Sequence, residues 1–590
     1  MTVATPTALY EAGLRHLREG RFRDARSCCE QVISQDPGHA AALHLMGLLS
    51  LQEERPDQAI EWISNAIRLD PKPEYLVSLA SVLRSQGRHD EALRTVDKAV
   101  QLKPADSALW MHLGDALLEA KRPADALMSF QHASKLKPDD FDAAYKTGAL
   151  LLDSRRYQEA LDAFKLCDRI RPNHAPTLRA LALSFRGLSR LEDALTHNLR
   201  AHALDPQHAA TLSNIGDAVA QSPGGEDEAI SWFDEALKVD PNLVPALNNK
   251  AHLLYKLQRF EEFMAISDRV KALEPDNAVN ATAAGQFDLL TGNFEAGWIG
   301  LDARLKHPSS AYPKLPQPMW LGNEPLEGKT ILVGTDEGMG DTIQFVRYVP
   351  MLAARGARVI LVVQDPLHRL MSGLSGVSQC LSTSGSVTLS QFDLHCAMCS
   401  LPRAFGTRLD TIPAEIPYLP APASDGVQAW EERLGTHTRP RVGLVWSGNP
   451  KHVNDHNRSV SLRMLARIVD SSEATFVSLQ KDPRPDDRAI LEGLSGRIID
   501  QTAYLTDFSD TAALIKCLDL VISVDTSVAH LAGALGCPTW ILLPYTPDWR
   551  WLLNRDDSPW YPTVRLFRQD RNRNWGPVVE RVRAELNALF

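Results

Sequence analysis

Nowhere among the 590 residues is there an apolar run near the roughly 18 that a membrane-crossing helix needs. Basic residues do not lead either. Lys and Arg number 63 against 73 Asp and Glu, for a net charge of −10. That balance argues against general nucleic-acid binding, which needs a basic surface. Cysteine is sparse: eight in so long a chain make no disulfide framework. Cys396 and Cys399 form a CxxC, but no second pair or suitably spaced histidine accompanies them. Buried strand thiols in a reducing cytoplasm are the expectation, rather than a metal or redox site. The opening stretch, "MTVATPTALYEAGLRHLREG", has no apolar signal core and reads as helix. The length exceeds what one core supports, so two or more domains are expected.

What is there begins with a repeat. Pro37, Pro71, Pro104, Pro138, Pro172, Pro206, Pro241, Pro275 and Pro308 recur. Their interval is about 34 residues, the length of a helix-pair repeat. Small residues keep fixed places before them, as in Gly114, Ala126 and Ala133 before Pro138. They let two antiparallel helices approach closely, and each proline ends the second helix. The pattern resembles the tetratricopeptide (TPR) family over residues 7–308, and such arrays are binding surfaces. We read residues 1–308 as this all-α superhelix, with about nine units. Its groove is lined three places before each Gly/Ala marker. There Tyr10, Val77, Met111 and Tyr145 form an apolar series suited to a protein acceptor. Only Asn214 and Asn249 recur two places before the marker, so the asparagine ladder of the eukaryotic O-GlcNAc transferase is absent.

A proline-rich passage over 309–327 reads as a linker. Beyond it, short apolar runs alternate with helical segments, which predicts α/β structure. A second proline-rich passage divides this part into Rossmann-like lobes over 328–424 and 425–590. Ligands of such sheets sit beyond the carboxyl ends of the strands. In the first lobe, "DEGMGD" follows the run "TILVG". It is neither a Walker loop nor a full dinucleotide fingerprint. Gly338 and Gly340 would let a substrate approach the backbone, and Asp341 would start the next helix. In the second lobe, Asp525, Thr526 and Ser527 open a helix whose free N–H groups suit a phosphate.

These motifs resemble the heptosyltransferases, in the "DTS-x-x-H" segment ending at His530 and in the pair Gly340-Asp341. The whole region resembles the GT-B catalytic unit that follows TPR arrays in bacterial protein glycosyltransferases, including those that modify flagellin with nonulosonic acids. Ser527 departs from the glycine usual there. The resemblance implies that Asp341 is the general base and that no metal cofactor is used. It implies a nucleotide-sugar co-substrate, CMP-linked nonulosonate, UDP-hexose or ADP-heptose, and a protein acceptor, flagellin first. An O-GlcNAc-transferase-like enzyme, a glycan or lipid glycosyltransferase and an inactive TPR scaffold are the alternatives. Gly340, Asp525, Thr526, Ser527 and His530 would then face the donor. Lys451 or Arg458 could neutralise its phosphate. Gln480 and Lys481, ending a strand, would flank the nucleotide. His452 and His456 could suggest metal, although their polar surroundings favour a loop. Trp549, Trp551 and Trp560 are expected to pack between the lobes.

Overall fold

The computed structural model describes residues 5–222, 224–384, 391–452 and 454–590. The first four residues of the N-terminal stretch lie outside these, as do Pro223 of the array and Val453 between His452 and His456. Chain compactness divides the protein into residues Met1–Ala246 and Leu247–Phe590.

The first unit is a run of helix pairs, from Pro6–Arg18 with Phe22–Gln35 to Ala209–Ala220 with Glu226–Val239. Within each pair a small residue of the first helix meets an apolar side chain of the second. A Cβ on Gly47 would lie 2.4 Å from Ile63, one on Gly114 2.4 Å from Phe130, and one on Gly148 2.8 Å from Phe164. The turn inside each pair holds a residue in the left-handed region, at Gly20, Glu54, Gly87, Lys121, Arg155, Ser189 and Gly224. Several first helices are capped by the side chain before them, as Asp106 and Asp140 accept from Ala108 and Ala143 N–H.

The second unit holds two more pairs, Val244–Lys256 (shared across the division) with Phe260–Leu273 and Ala278–Leu290 with Phe294–Leu301. Their inner residues share a core with the sheets that follow. Trp298 donates from Nε1 to the Thr407 carbonyl at 2.7 Å and meets the Trp549 ring at 5.3 Å. The passage read as a linker is tied down. Trp320 is 1% exposed and donates its backbone N–H to His395 O, while Tyr312 Oη meets His395 Nδ1 at 3.0 Å.

Two parallel sheets complete the unit. The first contains β1 (Thr330–Gly334), β2 (Arg358–Val363), β3 (Val377–Ser382) and β4 (Leu394–Ala397), in the order β3-β2-β1-β4. The second contains β5 (Arg441–Val445), β6 (Thr475–Ser478), β7 (Ile498–Ile499), β8 (Leu520–Val524), β9 (Thr539–Leu543) and β10 (Val564–Arg568). Its order is β10-β9-β8-β5-β6-β7. Every pairing is parallel. β5, β8 and β9 are buried throughout, as parallel strands covered on both faces must be. The second order is the doubly wound Rossmann order, and the first follows its opening half. The strand order therefore reverses between β1 and β4 and between β5 and β8. Those are the places where such folds bind ligands.

Candidate active site

The first reversal point is occupied by the loop from Thr335 to Asp341. Its backbone is pinned, since Gln364 Nε2 donates to Glu337 O at 3.0 Å and to Thr335 Oγ1 at 2.8 Å. Asp336 is held by Arg304, at 2.5 Å, and accepts the Cys399 backbone N–H at 3.1 Å. Arg304 also pairs with Asp302 at 2.9 Å, so the last turn of the helix pairs anchors this loop. Asp341 stands in the first turn of the helix Met339–Phe345 and accepts the Gly338 N–H at 2.9 Å through Oδ2. Its Oδ1 pairs with Arg550, which reaches in from the other lobe. Burial pushes the Asp341 carboxyl above its ordinary value, and Arg550 pulls it back. Glu337 is pushed up to about 7, chiefly by burial and then by Asp341 and Asp336. Its side chain is 49% exposed, so solvent screens part of that push.

The second reversal point is bounded by Trp446-Ser447-Gly448 after β5 and Asp525-Thr526 after β8. Arg458 lies between them: its Nη1 donates to Asp525 O at 3.0 Å, and its guanidinium fills the space a Gly448 side chain would take. Asp455 organises this loop, accepting from Ser459 Oγ at 2.8 Å and pairing with Arg484. Two buried polar atoms here, Arg458 Nε and Ser447 Oγ, have no hydrogen-bond partner among the described residues, although Arg458 Nε stands 3.8 Å from Asp455 Oδ1. Thr526 is the cap residue of the helix Ser527–Ala534, and its side chain makes no bond to that helix's first N–H groups. Asp525 is raised to about 6, by burial first and then by Asp548.

The predicted residues fall into three groups. Asp341, Arg458, Asp525, Thr526 and Ser527 line the two reversal points. Lys451 is exposed in its loop, and the structure thus separates it from Arg458. Gly340, Gln480 and His530 have internal partners instead. A Cβ on Gly340 would stand 3.0 Å from His530 Cδ2, so this glycine lets the helices of the two lobes pack closely. His530 is 5% exposed, meets Tyr561 Oη at 2.9 Å through Nδ1, and stacks on Trp551. Burial, with Arg550 and Arg347 nearby, holds it neutral, well below the ordinary histidine value. Gln480 Oε1 accepts from the Trp446 and Ser447 N–H groups at 3.2 and 3.0 Å, which shapes the loop after β5.

Lys481 bonds Thr506 O at 3.1 Å. Trp549, Trp551 and Trp560 are 4%, 0% and 0% exposed, which makes them packing residues. Cys396 and Cys399 are buried and unpaired, with burial raising both thiols. Among the described residues no three His, Cys, Asp or Glu side chains gather as a ligand set. Tyr10, Val77, Met111 and Tyr145 are half-buried; Tyr145 meets Phe141, Phe164 and His174. Sequence reasoning missed Arg550, Arg304, Glu337 and Ser447. Glu337 lies within the motif DEGMGD already singled out, whereas nothing local marks Ser447 or the two arginines.

Comparison with known proteins agrees with this architecture. Tetratricopeptide repeat models match residues 16–81, 77–133 and 123–175. The glycosyltransferase family 9 (heptosyltransferase) model matches residues 485–583. The chain carries TPR repeats and a heptosyltransferase-like domain. That domain match includes Asp525, Ser527 and Arg550, while Asp341 lies before it. Protein FlbA of Caulobacter vibrioides is 26% identical over 407 residues, 64% of this chain and 65% of its own. Human Protein O-mannosyl-transferase TMTC1 is 27% identical over 100 residues, 16% of this chain and 11% of its own. The chain thus spans less than two thirds of either relative. Among solved structures, PilF of Pseudomonas aeruginosa is 24% identical, covering 34% of this chain and 92% of its own at a TM-score of 0.30. No described helix is long and apolar enough to cross a membrane.

Proposed function

We propose that this protein is a GT-B protein O-glycosyltransferase, moving a sugar from a nucleotide donor to a Ser or Thr hydroxyl of an array-bound protein. The observation that carries the reading is the pair of buried polar atoms with no hydrogen-bond partner among the described residues, Arg458 Nε and Ser447 Oγ, beside the N-terminus of the helix Ser527–Ala534. Unsatisfied donors at such a place suit a phosphate oxygen. The heptosyltransferase match over the same lobe supports a nucleotide-sugar there.

In the reaction, the acceptor oxygen attacks the anomeric carbon while Asp341 takes its proton. The bond from that carbon to the phosphate oxygen breaks, and its electron pair leaves on the phosphate. Arg458, Thr526 and the helix amides stabilise that charge, so a divalent ion is not needed. We place the reaction in the cytoplasm, in keeping with eight unpaired cysteines. The half-buried series Tyr10, Val77, Met111 and Tyr145 suits the apolar face of an amphipathic helix. Flagellin, with its long terminal helices, is the client we favour, and a nonulosonic acid such as pseudaminic acid, carried on CMP, the sugar.

The test is intact-mass analysis of flagellin incubated with the protein, EDTA and, in separate reactions, CMP-pseudaminic acid, ADP-heptose or UDP-N-acetylglucosamine. A mass increment of one sugar residue on Ser or Thr is expected with the CMP donor. An increment only when chelator is omitted would refute metal independence. No increment with any donor would refute the flagellin reading.

A further inference from the structure

Resting on that reading, we propose that Arg550 is the positioning residue of the site. It holds the Asp341 carboxyl group aimed across the seam between the two lobes. Two buried arginines cross this seam, and their partners differ in kind. Arg347 donates to the Gln344, Pro413 and Trp560 carbonyls and to the Tyr418 hydroxyl, at 2.8 to 3.1 Å. Those neutral acceptors make it a bolt. Arg550 is turned to carboxylates instead: Nη2 pairs with Asp341, and Nη1 with Asp548 at 2.8 Å. Its Nε donates to Gln344 Oε1, and its plane lies 4.4 Å over the Trp549 ring. A guanidinium fixed by a ring and an amide cannot follow a moving partner, so it dictates where Asp341 points.

The Asp341 carboxylate is thereby held at both oxygens, by Arg550 at Oδ1 and by the Gly338 N–H at Oδ2. A carboxylate has about four lone-pair sites, so these bonds leave room for an incoming hydroxyl proton. Around it stand Asp336 and Glu337 on its own loop, Cys399 after β4, His452 after β5, Asp525 and His530 at the start of the helix packed on its own, and Asp548 with Arg550 after β9. Burial, Asp548 and Asp336 all favour the protonated acid, which cannot accept a proton. Arg550 and the Gly338 N–H oppose them. Removing Arg550 should therefore raise the Asp341 carboxyl, and removing Asp548 should lower it.

The full-length protein would be titrated by infrared difference spectroscopy, with Asp341→Asn as the subtracted reference to isolate this carboxyl. Arg550→Gln should move its titration upward by about one pH unit or more, the usual effect of losing an adjacent opposite charge. Arg550→Lys should fall nearer wild type. Asp548→Asn should move it downward, and since the Asp548 side chain is 36% exposed, that variant serves even if Arg550→Gln does not fold. The acid limb of donor hydrolysis, with CMP-pseudaminic acid as probe, should shift in the same two directions. An unmoved titration, or shifts of one sign in both variants, would overturn the inference. The infrared reading needs no donor. Opposite shifts without any hydrolysis would thus uphold Arg550's control of Asp341 and count against the transferase reading alone.

Discussion

Glycine serves the same physical purpose in the helix pairs and in the sheet lobes, but the two regions use it on different scales. Gly114 yields space to Phe130, and the same contact returns at Gly47 with Ile63 and at Gly148 with Phe164. Each of these contacts closes one helix hairpin, so the array states its packing rule several times and locally. Gly340 yields space to His530, which belongs to the other lobe. The neighbouring pair Asp341–Arg550 is separated by 209 positions and occurs once. A repeated local contact spreads the consequence of any single failure. A unique long-range contact concentrates it. Substitutions in the array should therefore show in stability, and substitutions at the seam in chemistry.

The strongest test of that division is Asp341→Asn. Asparagine keeps the shape but cannot take a proton. Its single carbonyl oxygen accepts from only one of Arg550 and the Gly338 N–H, and Arg550 retains Asp548 as a partner. Turnover should fall by about 10²–10⁴-fold, the usual contribution of a general base. The melting temperature should fall only by what one lost hydrogen bond costs, about 1–3 kcal/mol. Residual turnover above about a tenth of wild type would remove Asp341 from the role.

Next in size is Arg458→Ala. Hydrogen bonds to a charged partner contribute about 1.5–3 kcal/mol, so calorimetry with CMP in EDTA should show affinity reduced by roughly tenfold to a hundredfold. Lys451→Ala, at an exposed position, should show a much smaller loss. Equal losses would mean that the loop after β5 rearranges to bring both cations to the ligand.

These cases also mark what the sequence made legible. The helix pairs could be read because proline and small residues return at one spacing, and because a hairpin contact lies within one repeat. The α/β lobes could be read from buried strands, whose apolar runs need no partner to be noticed. Asp341 and Asp525–Ser527 were visible since each follows such a run. Arg550 was not, because its meaning lies in a tertiary contact with a residue of the other lobe. Lys451 and Arg458 looked alike, as two cations of one polar loop, until the hydrogen bond to Asp525 O set them apart. The passage at 309–327 shows a related limit: proline content suggests a connector, and only the fold shows that Tyr312 and Trp320 hold it to His395.

A third experiment compares the two glycine contacts directly. Gly114→Val would drive its Cβ to 2.4 Å from the Phe130 ring, where both side chains are confined within a hairpin. Overpacking of this kind costs about 1–3 kcal/mol, read as a lower urea midpoint. Donor turnover per folded molecule should stay unchanged. Gly340→Ala brings a milder approach of 3.0 Å, yet it presses on His530 beside Asp341 and Ser527. Its stability cost should be smaller and its loss of turnover larger. The reverse ordering would break the distinction between array and seam.

The smallest effect belongs to the turns of the array. Lys121 sits at φ 58° between two helices, in the place that Gly87 holds at φ 71° one unit earlier. Left-handed backbone costs an ordinary L-residue roughly 1–2 kcal/mol, because its Cβ crowds the following carbonyl. Glycine escapes that cost but loses more chain entropy on folding, by roughly 0.5–1 kcal/mol. The net expectation for Lys121→Gly is a gain of about 0.5 kcal/mol in urea unfolding. Gly87→Ala is the mirror experiment. No atom lies within 4 Å of where its Cβ would be, so a loss there reports backbone strain and not collision. It should cost about as much as Lys121→Gly gains, and Glu54→Gly, at φ 60°, should repeat the gain. If Lys121→Gly and Glu54→Gly instead lower stability, these side chains contribute through contacts that outweigh the strain. The turns would then differ from unit to unit, and the array would be less of a repeat than its helices suggest.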